Sequence, residues 1–416
     1  MGYSKEEFYS GPAVQADGWY VCSGCFGDYA LKQLIEVSAV PQACDFCVSA
    51  GPDVPVAPLR KVVDHMNEGL ALEFSDVDAE GLPYDSEEGR YFGEHWSTYE
   101  LLREKLMLEL PNDDGHLFEV LLSALGDQTW CQADPARLTE AQRFVSSWHK
   151  FCELVKNGRR YFFLGHRYEQ DPFDPDPYLN PNEILETVTA LAEREGLIRT
   201  MPAGTRVFRA RLQAPGERLQ SPGELGPPLP QYADANRMSP QGVPVLYCAD
   251  DPETALMETA SCPGTFAVGE FELLKTLRIL DLTATPQVPS LFDRLRAPSR
   301  QAVKFLHRFA RDVSQPIKKD ARVHVEYVPT QVITEYIRFV FRPGGEPLHG
   351  IRYPSAQHAG SACLVIFATQ AEVEGALTGS GLAYATTEGD AWVRLLTVAE
   401  YTSDASAPPD SSGRRG

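Results

Sequence analysis

The spacing of apolar residues changes along the chain, and the changes mark out its parts. Between about 59 and 168 the period is helical. Leu101, Leu102, Leu106 and Leu108 are followed by Leu117, Phe118, Val120, Leu121, Leu122 and Leu125. A later run sets Phe144, Trp148, Phe151, Cys152 and Val155 close to the 3.6-residue period of one helix face. EILETVTALAEREG (183–196) predicts another helix, with Gly196 where a helix commonly stops. Beyond it, short runs predict strands. RVFRARL (206–212) turns Phe208, Ala210 and Leu212 to one side and Val207, Arg209 and Arg211 to the other. VPVLYCA (243–249) is a second strand, bounded by Gly242 and by Asp250-Asp251-Pro252. TFAVGEFEL, TLRILDL, RVHVEYV, GIRYP and ACLVIFA follow, interrupted by helices over 300–314 and 330–340. Strands and helices without βαβ regularity predict an α+β fold. No internal repeat is visible.

Prolines and small polar residues punctuate this pattern. GPDVPVAP (51–58) reads as a linker, and EQDPFDPDPYLNPNE (169–183) as a boundary whose four prolines suit neither helix nor sheet. The tail SDASAPPDSSGRRG (403–416) predicts disorder. The expected organisation is a cysteine unit at 17–50, an all-α helical domain at 59–168, a linker at 169–183, a mixed domain at 184–402 and the tail. The C-terminal half is expected to fold by itself.

With 416 residues, 43% of them apolar, the chain can build two or three packed domains. No apolar run reaches the roughly 18–20 residues of a membrane helix, and MGYSKEEFYS lacks the blocks of a signal peptide. A cytoplasmic address without membrane attachment is expected. A net charge of −20 speaks against general nucleic-acid binding. It leaves room for a phosphate-bearing small molecule, which two or three arginines can hold.

Four of the nine cysteines change the picture at the N-terminus. Cys22-x2-Cys25 is followed by Cys44-x2-Cys47, a spacing that suits four thiolates on one tetrahedral zinc. Four protein ligands leave no vacant position for a water, so the expected role is structural. Cys131, Cys152, Cys248, Cys262 and Cys363 are expected as small buried apolar groups.

The richest stretch is YADANRMSPQGVPVLYCADDPETALMETA (232–260). Pro252 suits a first helical position with Asp251 as its N-cap, and the helix carries Glu258 among Ala255, Leu256, Met257 and Ala260. Together with RVFRARL and GIRYPSA (350–356), this stretch resembles the RES domain, a family named for its arginine, glutamate and serine whose studied members destroy NAD. The resemblance also covers VEYVPTQVITEYIRF (325–339). It implies an ADP-ribosyltransferase-like split β-sheet with NAD as substrate. Arg209 and Arg237 would hold the diphosphate, Tyr247 the nicotinamide, Glu258 the cationic transition state, and Ser355 a phosphate or the ribose. Each also has a plain structural reading, as a surface arginine, a core tyrosine or a loop serine. Tyr327 and Gln331 are expected either in the pocket or at a helix start. One departure stands out: the family's G-R-W/F-N turn reads Asn236-Arg237-Met238-Ser239 here. His358 follows Ser355 closely, but no G-x-S-x-G surrounds the serine, so a Ser-His hydrolase is not the reading.

The middle of the chain resembles the HEPN-like region found ahead of some RES domains, through Trp130-Cys131, Trp148-Phe151 and Arg160-Tyr161-Phe162. Arg143 and His149 have the spacing of a HEPN ribonuclease pair. The family implies cleavage of the nicotinamide–ribose bond with phosphate or water as acceptor, and toxin–antitoxin pairing with a neutralising protein. Rival readings are an ADP-ribosyltransferase acting on a macromolecule, a non-catalytic binding module, and the ribonuclease.

Overall fold

The computed structural model describes residues 16–47, 54–113, 115–169, 176–315, 323–375 and 391–403. The chain forms two compact units: residues up to Thr139 with Gln287–Gln301, and Glu140–Pro286 with the residues from Ala302 onward. No helix among the described residues is long and apolar enough to cross a membrane.

The first unit holds β1 (Tyr20–Cys22), α1 (Tyr29–Val37), β2 (Val56–Pro58), α2 (Leu59–Leu70), β3 (Phe74–Asp76), β4 (Tyr84–Asp85), β5 (Arg90–Tyr91), β6 (His95–Ser97), α3 (Thr98–Glu100), α4 (His116–Leu125) and β7 (Thr129–Gln132). Two expectations are corrected here. The stretch expected as a linker ends in a strand, because Val56–Pro58 pairs with β1. The helical middle is not all-α: β3, β7 and β6 form a three-stranded sheet, and β4 pairs with β5. Strands of two to four residues are too short to show alternation. The core gathers Leu31, Ile35, Val62, Met66, Leu121 and Trp130, together with Leu291 and Phe292 from the later segment. Gly69 lets that segment close in, since a Cβ there would stand 2.8 Å from the Phe292 ring. Arg300 and Gln301 fix its end by donating to the Glu73 carboxylate at 3.0 and 2.6 Å.

The second unit holds α5 (Glu140–Glu153), α6 (Pro181–Arg194), β8 (Ile198–Met201), β9 (Arg206–Leu212), α7 (Pro222–Leu225), β10 (Leu246–Ala249), α8 (Pro252–Thr259), β11 (Gly264–Leu273), β12 (Leu277–Asp281), α9 (Arg300–Ser314, its first two residues in the first unit), α10 (Val323–Glu326), α11 (Val328–Phe339), β13 (Gly350–Pro354), β14 (Ala362–Ile366), β15 (Val373–Glu374) and β16 (Val393–Ser403). Its nine strands form one mixed sheet in the order β15-β16-β11-β9-β10-β14-β13-β12-β8. Among the described residues only β12–β13 and β15–β16 run parallel. The middle of this sheet is its weakest seam. β9 pairs with β11 over seven residues, but with β10 only through Phe208 and Ala249.

Helix α5 belongs to this unit rather than to the helical region before it. Its Phe144, Trp148 and Phe151 share one core with Ile184 of α6 and with Phe305 and Phe309 of α9. The Trp148 and Phe309 rings meet edge-on at 5.0 Å. Helix α6 starts at Pro181, two residues before the predicted start, with the Glu183 carboxylate accepting from the Asn180 N–H at 2.8 Å. Residues 170–175 of the expected boundary, and the tail from 404, lie outside the described residues. The run RVHVEYV, expected as a strand, is helical from Val323 on. Pro329 sits in the first turn of α11, where its missing N–H costs nothing. Strand β16 was not foreseen. It pairs with β11 over ten residues, but most of its side chains stay exposed, so its sequence lacks the apolar alternation of a half-buried strand.

Candidate functional site

The four cysteines come together in the first unit. Cys22 ends β1, Cys25 closes the turn after it, and Cys44 and Cys47 follow α1. The Sγ atoms lie 3.6 Å (Cys22–Cys25), 3.5 Å (Cys22–Cys47), 3.7 Å (Cys25–Cys44) and 3.8 Å (Cys44–Cys47) apart. All four can reach a single metal ion. A tetrahedral zinc with Zn–S bonds of about 2.3 Å needs sulfurs about 3.8 Å apart, so the thiols fit that ion.

In the second unit, α8 and the loop after β13 grip one another. Asp251 caps α8 as expected, accepting from the Thr254 N–H at 2.7 Å. At the other end of the helix Glu258 is part-buried. Its Oε1 accepts from the Ser355 hydroxyl at 2.5 Å, the Ala356 N–H at 3.1 Å and the Gln357 N–H at 3.4 Å. The Ser355 oxygen in turn accepts from the N–H groups of Gln357 and His358 at 3.2 and 3.0 Å. The loop therefore wraps serine and carboxylate into one hydrogen-bonded knot.

Strand register places the remaining residues. Tyr247, Ala249, Tyr353 and Cys363 share one face of the sheet. Tyr353 and Cys363 are buried beneath the knot, and both sense the charges of Glu258 and Arg237. Burial first, then the Glu258 charge, pushes the Cys363 thiol up to about 12. GIRYPSA carries an unused signal for part of this, because alternation puts Tyr353 on the side of Ser355. Cys363, expected only as a buried apolar group, gave no such signal.

Arg237 lies in the turn that departs from the family pattern. Asn236 and Ser239 bridge each other across it, and Met238 is buried. Gln331 donates to the carbonyls of Asn236 and Ser239 at 2.8 and 3.2 Å, and the Thr330 hydroxyl to that of Arg237 at 2.5 Å. Gln331 thus fixes the turn, and Tyr327 begins α11. The Arg237 guanidinium donates to the Val313 carbonyl at 2.9 Å. Tyr247 also serves this turn. Its hydroxyl accepts from the Met238 N–H at 3.0 Å and lies 3.1 Å from the Ser239 hydroxyl, and burial pushes its pKa up to about 12.

Arg209 stands apart from that group. Phe208 pairs with Ala249, so Arg209 points to the opposite face, toward Cys248. Its Nη1 is buried and has no hydrogen-bond partner among the described residues. Burial, its largest influence, lowers the pKa below the usual arginine value. On the same far face, sequence reasoning missed Arg352. It donates to Asp250 at 2.5 Å, to Asp281 at 3.0 Å and to Thr283 at 2.7 Å. A cavity of ≈ 690 Å³ adjoins these groups, lined among others by Thr283, His307, Arg311, Arg352 and Ala356. Glu258, Tyr247 and Arg209 do not line it.

Two alternative constellations do not assemble. The His358 imidazole faces Thr254, with Nδ1 2.7 Å from its hydroxyl, and the Ser355 hydroxyl is turned to Glu258, so no Ser-His pair forms. Arg143 and His149 lie six residues apart on α5, about 240° around the helix at roughly 100° per residue. Arg143 donates to the Pro177 carbonyl at 3.1 Å, and His149 pairs with Asp312 at 3.2 Å.

Two family models match the chain: HEPN/RES N-terminal domain 1 over residues 38–169 and the RES domain over residues 205–385. The second spans every residue of the knot and Arg209. It is consistent with an NAD-related, toxin-like function and suggests an enzyme acting on NAD. No curated protein and no solved structure matches the chain.

Proposed function

We propose, on the premise that this chain is a RES-domain protein with an HEPN/RES N-terminal domain, that it binds NAD and cleaves the nicotinamide–ribose bond. The observation that carries this reading is the knot of Glu258 and Ser355 beside Arg237, built from segments about a hundred residues apart. Departure of nicotinamide leaves cationic character on the ribose, which a fixed carboxylate stabilises. Glu258 is held at one oxygen by three donors, so it need not reorient as that charge develops. The leaving group departs neutral and needs no general acid. Arg209, part-buried and with its Nη1 unpartnered among the described residues, is suited to the diphosphate through charge-assisted hydrogen bonds. It stands on the face of the sheet opposite Glu258. An ADP-ribosyltransferase-like cleft in a split sheet is part of the same reading.

Water or phosphate is the acceptor in this proposal. The four thiols of the first unit are assigned a structural zinc, supported by their near-tetrahedral spacing. A toxin-type role in the cytoplasm, with a neutralising antitoxin protein, is carried by the RES family alone. The test is direct. Purified full-length protein is incubated with NAD, with and without phosphate, and nicotinamide and the ADP-ribosyl products are identified. Release of no nicotinamide under either condition refutes the reading.

A further inference from the structure

Hydrogen-bond donors around α8 can be counted. The Thr254 hydroxyl has one hydrogen and two partners: Asp251 Oδ2 at 2.6 Å and His358 Nδ1 at 2.7 Å. Burial works against the Asp251 charge, but the Thr254 hydroxyl and N–H and the Ser361 hydroxyl, with a smaller contribution from His358, outweigh it, so its pKa stays below the usual value. An ionised carboxylate only accepts, so Thr254 gives its hydrogen to Asp251. The Thr254 oxygen is then an acceptor, and His358 Nδ1 must carry the hydrogen that points at it. In the neutral ring Nε2 is left with its lone pair. Nε2 has no hydrogen-bond partner among the described residues.

The ring is tied to the elements that hold Glu258. Thr254 lies one helical turn before Glu258, and residues four apart share a helix face. The main-chain N–H of His358 bonds the Ser355 oxygen at 3.0 Å, which itself bonds Glu258 at 2.5 Å. Ser361 anchors the far end of the loop to Asp251 at 3.2 Å. The imidazole is thus held at both ring and backbone, with one basic nitrogen unused.

We propose that His358 is the general base for a hydroxylic acceptor (water or an alcohol), and that Asp251 and Thr254 are positioning residues that hold its ring with Nε2 free. This rests on the NAD-cleaving reading above. In the step, the acceptor oxygen bonds to the ribose carbon. The electron pair of the carbon–nitrogen bond leaves with neutral nicotinamide. The acceptor proton passes to Nε2 and then to solvent. An acceptor already present as an anion has no use for this base, so the acceptor class follows from the state of the ring.

The full-length protein carrying His358→Gln tests this, read by nicotinamide release from NAD in water with and without azide. Azide attacks without a proton to lose. General-base catalysis contributes about 10²–10⁴-fold, so release in water is expected to fall by at least about 100-fold. Azide is expected to restore it, with ADP-ribosyl azide as product. A rate in water equal to wild type, or a loss that azide does not relieve, overturns the proposal. Thr254→Val keeps the imidazole and removes its anchor; a smaller loss, also relieved by azide, is expected, and a wild-type rate removes the anchor from the mechanism. If the wild type itself releases no nicotinamide, the NAD-cleaving reading fails. If it does and His358→Gln matches it, only the role of His358 fails.

Discussion

Replacing Arg209 with methionine separates the needs of the fold from those of the ligand. Nη1 of this guanidinium is buried without a partner among the described residues, and Arg211 adds a second positive charge nearby. Its neighbours on that face, Val207 and Cys248, are buried and uncharged at neutral pH. Methionine is of similar length and adapts its shape to such a site. Replacing buried ion pairs by well-packed apolar groups is neutral or stabilises proteins by about 1–4 kcal/mol, and a single part-buried arginine belongs near the lower end of the stabilising range. At roughly 2–4 °C per kcal/mol for a unit of this size, Arg209→Met should melt several degrees higher. Binding should move the other way. A hydrogen bond to a charged group is worth about 1.5–3 kcal/mol, so affinity for ADP-ribose should drop about 10- to 100-fold. Scanning calorimetry of the free protein and titration with ADP-ribose, which does not turn over, measure both. An unchanged or lower melting temperature would show that the arginine supports the fold. Unchanged ADP-ribose affinity would falsify its assignment to the diphosphate.

Glu258→Gln keeps an oxygen for Ser355 and the two N–H donors but loses the charge; turnover should fall about 10²–10³-fold with little change in NAD affinity, and near-normal turnover would mean the cationic ribose lies elsewhere. The thiol cluster should retain one zinc per chain through purification, given apparent binding energies of about 10–16 kcal/mol for such sites, and Cys25→Ser should lose it; elemental analysis finding none in fully reduced wild type counts against the assignment. A fragment starting at 183 lacks α5 and uncovers the core faces that meet Phe144, Trp148 and Phe151, each side chain worth about 1.5–3 kcal/mol of burial. It should melt lower or aggregate beside a fragment starting at 140, and equal melting temperatures for the two would refute this account of α5.

Sequence carried the local elements well. Helices over α6, α8, α9 and most of α11, and strands at β9, β10, β11, β12, β13 and β14, follow from periodicity and from punctuation such as Asp251-Pro252. Motif order pointed to Glu258, Ser355, Arg237 and Tyr247, which the fold gathers on one side of the sheet. It failed where partners decide. The apolar stripe of α5 reads equally well against either unit, and only Phe305 and Phe309, about 160 residues on, settle which side it joins. Leu291 and Phe292 look like part of the C-terminal half, yet they complete the N-terminal core. Arg209 and Glu258 belong to motifs read together, but one paired residue, Phe208 with Ala249, sends the arginine to the other face.

Helix α8 shows why the motif was legible and its chemistry was not. Asp251 as N-cap is a local matter, readable from the proline beside it. The same carboxylate also takes the Ser361 hydroxyl from 110 residues away, and the opposite end of the helix holds Ser355 through Glu258. A helix of eight residues therefore contacts one loop at both ends, with Thr254 and His358 between them. Fixing both ends of a short rigid element leaves the loop few ways to move. A serine and a glutamate set far apart in sequence then behave as one preformed group, with the cost of ordering them met by the fold rather than by the substrate. The glutamate and serine can be recognised singly from their motifs. The ring nitrogen that their arrangement leaves free becomes visible only when every donor between them has been assigned.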